Sequence, residues 1–144
     1  MTSSTTDQST EETAARGVVE AIGKAWADNN PDGFADAYTE DATMILSGDR
    51  FFRGREVIRK MVRQQFASAH KGTTLLQTVV DLRFLSQDTA VIVTEGGVLV
   101  PGETAPSAER EIRATWVLAK QPDQKWSIAA YQNSRNADNP LPGA

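Results

Sequence analysis

Arg110–Ser134, REIRATWVLAKQPDQKWSIAAYQNS, is the stretch that decides the fold. Arg110–Lys120 and Trp126–Ser134 are rich in β-branched and aromatic residues, and Pro122-Asp123-Gln124 lies between them, so they read as two strands joined by a tight turn. Working toward the N-terminus, Leu75–Leu85 and Thr89–Val100 have the same character and are separated by Ser86-Gln87-Asp88. Short turns imply an antiparallel meander. Segments of about ten residues exceed the common strand length and suit a coiled, bent sheet better than a flat one. Gly96-Gly97 inside the second long segment is expected to mark a bulge or bend.

Ahead of the meander the periodicity is helical. Ser9 followed by Glu12 has the spacing of a capping box, and Ala15, Val18, Val19, Ile22, Ala25 and Trp26 then recur at helical intervals through Asp28. Asn30-Pro31 reads as an N-cap with proline at the first helical position, opening a short helix that carries Phe34, Ala37 and Tyr38 and stops near Asp41. Ala42–Leu46 can form a strand, and Ser47-Gly48-Asp49 turns it toward Arg50–Phe52. A third helix is predicted from Gly54 to about His70, with Val57, Ile58, Met61, Val62, Gln65, Phe66 and Ala69 on one broad side. Residues 1–8 offer almost nothing to bury and residues 137–144 are rich in proline and glycine, so both are expected to be loose tails around a single domain at 9–136.

Composition narrows the chemistry. A chain of 144 residues with 40% hydrophobic and 24% charged residues has the makings of one core. A net charge of −4 gives no attraction for a phosphate backbone, so nucleic acid is not an expected partner. With no cysteine there is no disulfide, thiolate zinc site or thiol nucleophile, and His70 is the single histidine. No basic leader or bilayer-length apolar run is present, so a cytoplasmic location without membrane contact is expected.

Helices followed by a meander leave one sheet face for the helices to cover, an α+β arrangement. Asn30-Pro31-Asp32-Gly33-Phe34, Tyr38-Thr39-Glu40-Asp41-Ala42-Thr43, Phe52-Arg53-Gly54-Arg55-Glu56-Val57-Ile58 and the closing Trp126–Ser134, in that order and spacing, resemble the nuclear-transport-factor-2-like superfamily. Within it the chain most resembles the SgcJ/EcaC family, over about residues 11–136. The resemblance implies a cystatin-like, cone-shaped curved antiparallel sheet closed by three N-terminal helices. It further implies a part in enediyne polyketide biosynthesis and a homodimer packed through the outer sheet face. Ketosteroid isomerase and polyketide cyclases (SnoaL-like proteins) belong to the same superfamily. The isomerase's proton relay does not carry over: its helix 1 tyrosine falls on or near Ile22, its base near Leu46 and its protonated acid near Trp116.

An aromatic-walled pocket survives that comparison. Trp26 and Tyr38 are candidates for its rim, Leu46 and Met61 for its wall, and the resemblance favours Trp116, Tyr131 and Asn133 as pocket-facing. Each also has an ordinary structural role open to it: Trp26, Met61 and Phe66 as core, Tyr38 as a hydroxyl bonded to nearby backbone. Ile112, Ala114, Trp116 and Leu118 share one strand face; on the last strand Ala129, Tyr131 and Asn133 oppose Trp126, Ile128, Ala130 and Gln132. Apolar area on both faces of that strand argues for a dimer, and a one-residue slip would present Arg113 and Gln132 instead.

Among charged residues, Glu95 and Asp81 interrupt apolar strands, where each either carries a raised pKa as an acid or base or points outward to Arg83, Arg110 or Arg113. Glu40 and Asp41 are expected to serve a helix-end turn. Arg55, Arg59 and Arg63 form an i, i+4, i+8 column, with Lys60 beside it, that either docks an acidic carrier protein or is a solvated face relieved by Glu56–Lys60 pairing. His70 is expected to meet helix-terminal carbonyls. The reading is an accessory protein holding a hydrophobic polyketide intermediate without metal, nucleotide or other cofactor, with acid-base isomerase, cyclase or hydratase chemistry open to it. Against this stands a non-catalytic dimeric module docking on a polyketide synthase or carrier protein.

Overall fold

The computed structural model describes residues 5–135, in which three helices precede and interleave with six strands. Helix α1 spans Thr5–Ala27, α2 Pro31–Asp36 and α3 Arg55–Ala67; the strands are β1 Tyr38–Leu46, β2 Arg50–Arg53, β3 Thr74–Ser86, β4 Thr89–Leu99, β5 Glu111–Lys120 and β6 Trp126–Arg135. They form one curved sheet in the order β2-β1-β6-β5-β4-β3. The C-terminal meander is antiparallel as the turns dictate, whereas β1 enters parallel to β6, so the sheet is mixed.

Local chemistry sets most of the boundaries. Asn30 caps α2 by accepting the Gly33 amide on Oδ1 at 3.0 Å, with Pro31 following at the first helical position. That helix ends at Asp36, five residues before the expected stop, because the Ala37 carbonyl is taken by the Ile128 amide at 2.8 Å and the chain joins the sheet. Tyr38, Glu40 and Asp41 therefore lie on a strand, and Asp41 accepts from the Thr39 hydroxyl at 3.0 Å instead of serving a helix end. At the other end α1 begins at Thr5, so Ser9 and Glu12 lie inside the helix and residues 5–8 belong to it, not to a tail. The tail expected at 137–144, like residues 1–4, lies outside the described residues.

The core fills the concave side of the sheet. Ala15, Val18, Val19, Ile22 and Ala25 of α1 and Ile58, Val62 and Phe66 of α3 pack against Met44, Ile92, Trp116, Leu118 and Ile128. Val57, expected on the inward side of α3, is 49% exposed. In β5 the alternation is as read from the sequence, with Ala114, Trp116 and Leu118 buried and Arg113 and Thr115 exposed.

In β6 the alternation breaks. Val117 pairs with Ala130 but Leu118 pairs with Ile128, which leaves Ala129 as an extra residue, a β-bulge. The bulge reverses the parity of every side chain beyond it. Trp126, Ile128 and Tyr131 are consequently all buried on the concave face, and the expected opposition of Tyr131 and Asn133 to Trp126 and Ile128 is corrected. The large side chains attributed to two faces, Trp126, Ile128 and Tyr131, thus share one, and alternation along β6 no longer speaks for a dimer.

Gly96 and Gly97 produce no register shift; the shifts in the β3–β4 pair fall between Val79 and Asp81 and between Phe84 and Ser86. The two glycines answer to close approach instead. A Cβ on Gly96 would run into the Leu76 carbonyl oxygen, and one on Gly97, where φ is +152°, into the Arg110 carbonyl oxygen.

Candidate functional site

A cavity of about 330 Å³ lies between the helices and the concave face of the sheet, close to the lower end of the range for small-molecule sites. Its depth is apolar: Ile22 from α1, Phe34 from α2, Val62 and Phe66 from α3, and Met44 and Trp116 from the sheet. All seven residues singled out from the sequence, Trp26, Tyr38, Leu46, Met61, Trp116, Tyr131 and Asn133, line this one space. The three positions matched to the isomerase relay, Ile22, Leu46 and Trp116, line it too, with no proton-transferring group among them.

The aromatic walls are held by their neighbours. Trp116 donates its indole N–H to the buried Thr94 hydroxyl at 2.9 Å, and its ring meets Tyr131 edge to face, centroids 4.9 Å apart. Trp26 donates to the Thr73 hydroxyl at 2.9 Å, and Thr73 in turn donates to the His70 carbonyl at 2.7 Å. Phe34 stands between Trp26 and Tyr38, at 6.3 Å and 5.7 Å. These contacts fix ring orientations before any ligand arrives.

Polar atoms converge on the cavity at two places. Asn133 accepts both the amide and the hydroxyl of Ser47, at 2.9 and 3.1 Å, and donates from Nδ2 to the Tyr131 hydroxyl at 3.1 Å. With its oxygen occupied as an acceptor, the Tyr131 O–H proton is directed elsewhere. Tyr38 is 1% exposed, and its hydroxyl makes no hydrogen bond to a described residue. Burial raises the Tyr38 pKa well above the ordinary phenol value and the neighbouring Tyr131 raises it further; burial carries Tyr131 to about 12, with Asn133 opposing. Both phenols stay protonated donors at physiological pH.

The second place is the mouth, where Arg50, Ala69, Val100, Glu109 and Arg135 are exposed lining residues. His70 stands beside it, its ring 4.6 Å from that of Trp26, and so is a cavity residue whose backbone N–H, not its imidazole, meets a helix-end carbonyl, that of Gln65 at 2.8 Å. Burial first, and the positive charge of Arg50 second, lower its pKa, so the imidazole is neutral at pH 7. The arrangement thus joins an apolar depth, two phenol donors and one neutral imidazole. Such a set can hold a ligand oxygen and accept a proton.

Sequence reasoning missed His70, Arg50, Gln65, Gln77, Glu109, Arg110 and Arg135 as cavity residues. Two of them carried a signal, His70 as the one imidazole of the chain and Gln65 by its place on the inward side of α3; the others are ordinary polar residues brought to the cavity by β2, β3, β6 and the 100–110 connection.

The other charged candidates are accounted for elsewhere. Asp81 pairs with Arg83 at 2.9 Å and Glu95 with Arg113 at 3.0 Å, all on the exposed face, which removes both carboxylates as internal acids or bases. Arg59 is enclosed by Asp32, Asp36 and Glu56 at 2.8, 2.8 and 3.0 Å, Arg63 reaches Asp32 at 3.0 Å, and Arg55 donates to the Tyr38 carbonyl at 2.9 Å. Glu56 serves Arg59, not Lys60 as expected, so that Arg59 and Arg63 are paired with neighbouring carboxylates while Arg55 is bonded to backbone. Among the described residues no helix is long and apolar enough to cross a membrane, and no three His, Cys, Asp or Glu side chains gather as a metal site.

Comparison with known proteins agrees with this geometry. A domain of unknown function with a cystatin-like fold from Nostoc punctiforme superposes with a TM-score of 0.81 at 30% identity, over 94% of this chain and 80% of that one. A nuclear-transport-factor-2-like protein of cystatin-like fold from Novosphingobium aromaticivorans gives 0.76 at 15% identity, covering 96% and 94%. A ketosteroid isomerase-like protein from Erwinia carotovora atroseptica gives 0.67 at 17% identity, covering 87% and 95%, a likeness of fold alone. No functionally curated protein matches the sequence. Residues 16–138 match the family described as the SnoaL-like domain, and with most of its length inside that match the chain belongs to the SnoaL-like family.

Proposed function

We propose that the protein is an accessory factor of polyketide biosynthesis in the cytoplasm, of the enediyne kind implied by its resemblance to the SgcJ/EcaC family, holding a hydrophobic polyketide intermediate in the cavity. One observation carries the reading: a space of about 330 Å³ with a wall of fixed aromatic rings and two inward phenols. Binding there shields a reactive chain from water and fixes its conformation. The test is titration of a neutral conjugated polyene, followed by tryptophan fluorescence, since Trp26 and Trp116 both line the cavity. Saturable one-to-one quenching supports the reading. A response lost on charge reversal of Arg55, Arg59 and Arg63 would return the function to surface docking.

Cofactor-free acid-base chemistry is favoured by the neutral His70 imidazole, which lines the same cavity as the phenols. The imidazole takes a proton from a carbon beside a ligand carbonyl, the C–H electron pair moves onto the carbonyl oxygen, and the Tyr38 and Tyr131 hydroxyls hydrogen-bond that oxygen. Return of the proton to another carbon is an isomerisation; attack of the carbanion on a second carbonyl is a cyclisation. His70→Gln is expected to abolish turnover while leaving polyene quenching intact.

A homodimer through the outer sheet face is part of the proposal. Phe51 is 58% exposed there, beside its cross-strand partner Ile45. Light scattering at micromolar concentration, with Phe51→Asp as the dissociating variant, tests it.

A further inference from the structure

The mouth of the cavity differs from its depth in carrying charge, and its cations are not equivalent. Arg110 is consumed: Glu103 accepts both bonds of a bidentate pair from its Nη2 at 2.6 and 2.8 Å, and its Nε donates to the Val98 carbonyl at 3.2 Å. Arg50 is different. Its Nε donates to the Ser47 carbonyl at 3.0 Å, which ties the root of the guanidinium to the β1–β2 turn, and no carboxylate among the described residues pairs with its terminal nitrogens. Ser47 is itself fixed by Asn133. The anchoring chain therefore runs from Tyr131 in the cavity wall, through Asn133 and Ser47, to Arg50 at the rim.

The remaining charges facing this point are few. Arg135 lines the mouth from the end of β6 and Glu109 from the 100–110 connection, both exposed, and His70 faces it from beyond α3. Arg50 lies close enough for its charge to act on the half-buried His70 ring, so its field reaches the cavity and is not spent wholly in bulk water. With Nε engaged, the Nη1/Nη2 edge of this planar fork is left free, and that edge matches the two oxygens of a carboxylate better than it matches a single acceptor atom.

We infer that the cavity is built for an amphiphile, an apolar chain or ring system ending in a carboxylate, with the apolar part against Trp116 and Phe34 and the carboxylate on the terminal nitrogens of Arg50. The inference rests on the binding reading above and narrows it from any hydrophobic intermediate to an acid. In this arrangement the carboxylate remains at the rim, where its desolvation is partial, and the apolar segment provides most of the buried area. The acid also sets the direction of entry, tail first.

The test compares decanoic acid with methyl decanoate by isothermal titration calorimetry at pH 8, where the acid is ionised. The acid is expected to bind roughly tenfold or more tightly than the ester, with the preference shrinking as salt is raised. Arg50→Gln, at the exposed first residue of β2, should remove the preference by bringing the acid's affinity down to that of the ester; Arg50→Lys should keep part of it. Equal affinity of acid and ester, or a preference that survives Arg50→Gln, overturns the inference and leaves the binding reading standing. Binding of neither ligand overturns both.

Discussion

Trp116 and Tyr131 are cross-strand partners on β5 and β6, and their rings meet edge to face with centroids 4.9 Å apart at an interplanar angle of 86°. The pair marks where packing and site become the same object. Trp116 is fully buried and anchored to Thr94, while Tyr131 is anchored to Asn133 and presents its hydroxyl to the cavity. Each change at this pair separates a structural contribution from a functional one.

Thr94→Val tests the structural side. Valine has the shape of threonine but cannot accept the Trp116 N–H, which leaves a buried donor without a partner. Stability is expected to fall by about 1–3 kcal/mol in urea unfolding. A loss below about 0.5 kcal/mol would mean the indole is satisfied in another way.

Alkaline titration tests the environment of the phenols. Tyr38 and Tyr131 have folded-state pKa values raised by burial, Tyr131 to about 12, so the folded protein retains protons that the unfolded chain releases near 10. Their contribution to stability is complete below pH 10 and is lost as pH rises toward 12. Ultraviolet difference spectra should show no tyrosinate from either residue until the protein begins to unfold. Appearance of a normal phenolate step near 10 in the folded protein would contradict the buried placement.

The sign is opposite at the acid end. His70 has a depressed folded pKa, so the unfolded chain binds its proton first as pH falls below 6.5. Stability from this residue is present above that point and is lost as pH falls through the folded value. His70→Gln should flatten the acid limb of the stability profile, and the imidazole proton resonance of the folded protein should titrate below 6.5. A resonance titrating at or above 6.5 would place the ring in solvent.

Much of the fold is legible in the chain because its signals are local. The Asn30-Pro31 cap, the Ser47-Gly48-Asp49 turn and the periodicity of α1 and α3 each depend on residues within a few positions of one another. Two things were not legible for physical reasons. The end of α2 is set by the Ile128 amide taking the Ala37 carbonyl, a contact between residues far apart in sequence. The bulge at Ala129 is set by the pairing with Val117 and Leu118, so reading alternation along β6 alone placed Tyr131 opposite Ile128. The aromatic cavity lining was recognisable as large rings at inward positions. Its mouth was not, because Arg50, Glu109 and Arg135 look like any surface charge until β2, the 100–110 connection and β6 bring them together.

The central claim is that the concave side of the sheet holds a small apolar ligand against Trp116 and Tyr131. A crystal structure of the protein soaked with a neutral conjugated polyene tests it most directly. Continuous density inside the cavity, in contact with both rings and with the Tyr38 hydroxyl, is the predicted result. Density confined to the outer face of the sheet, or an interior that has closed over its own side chains, would contradict it.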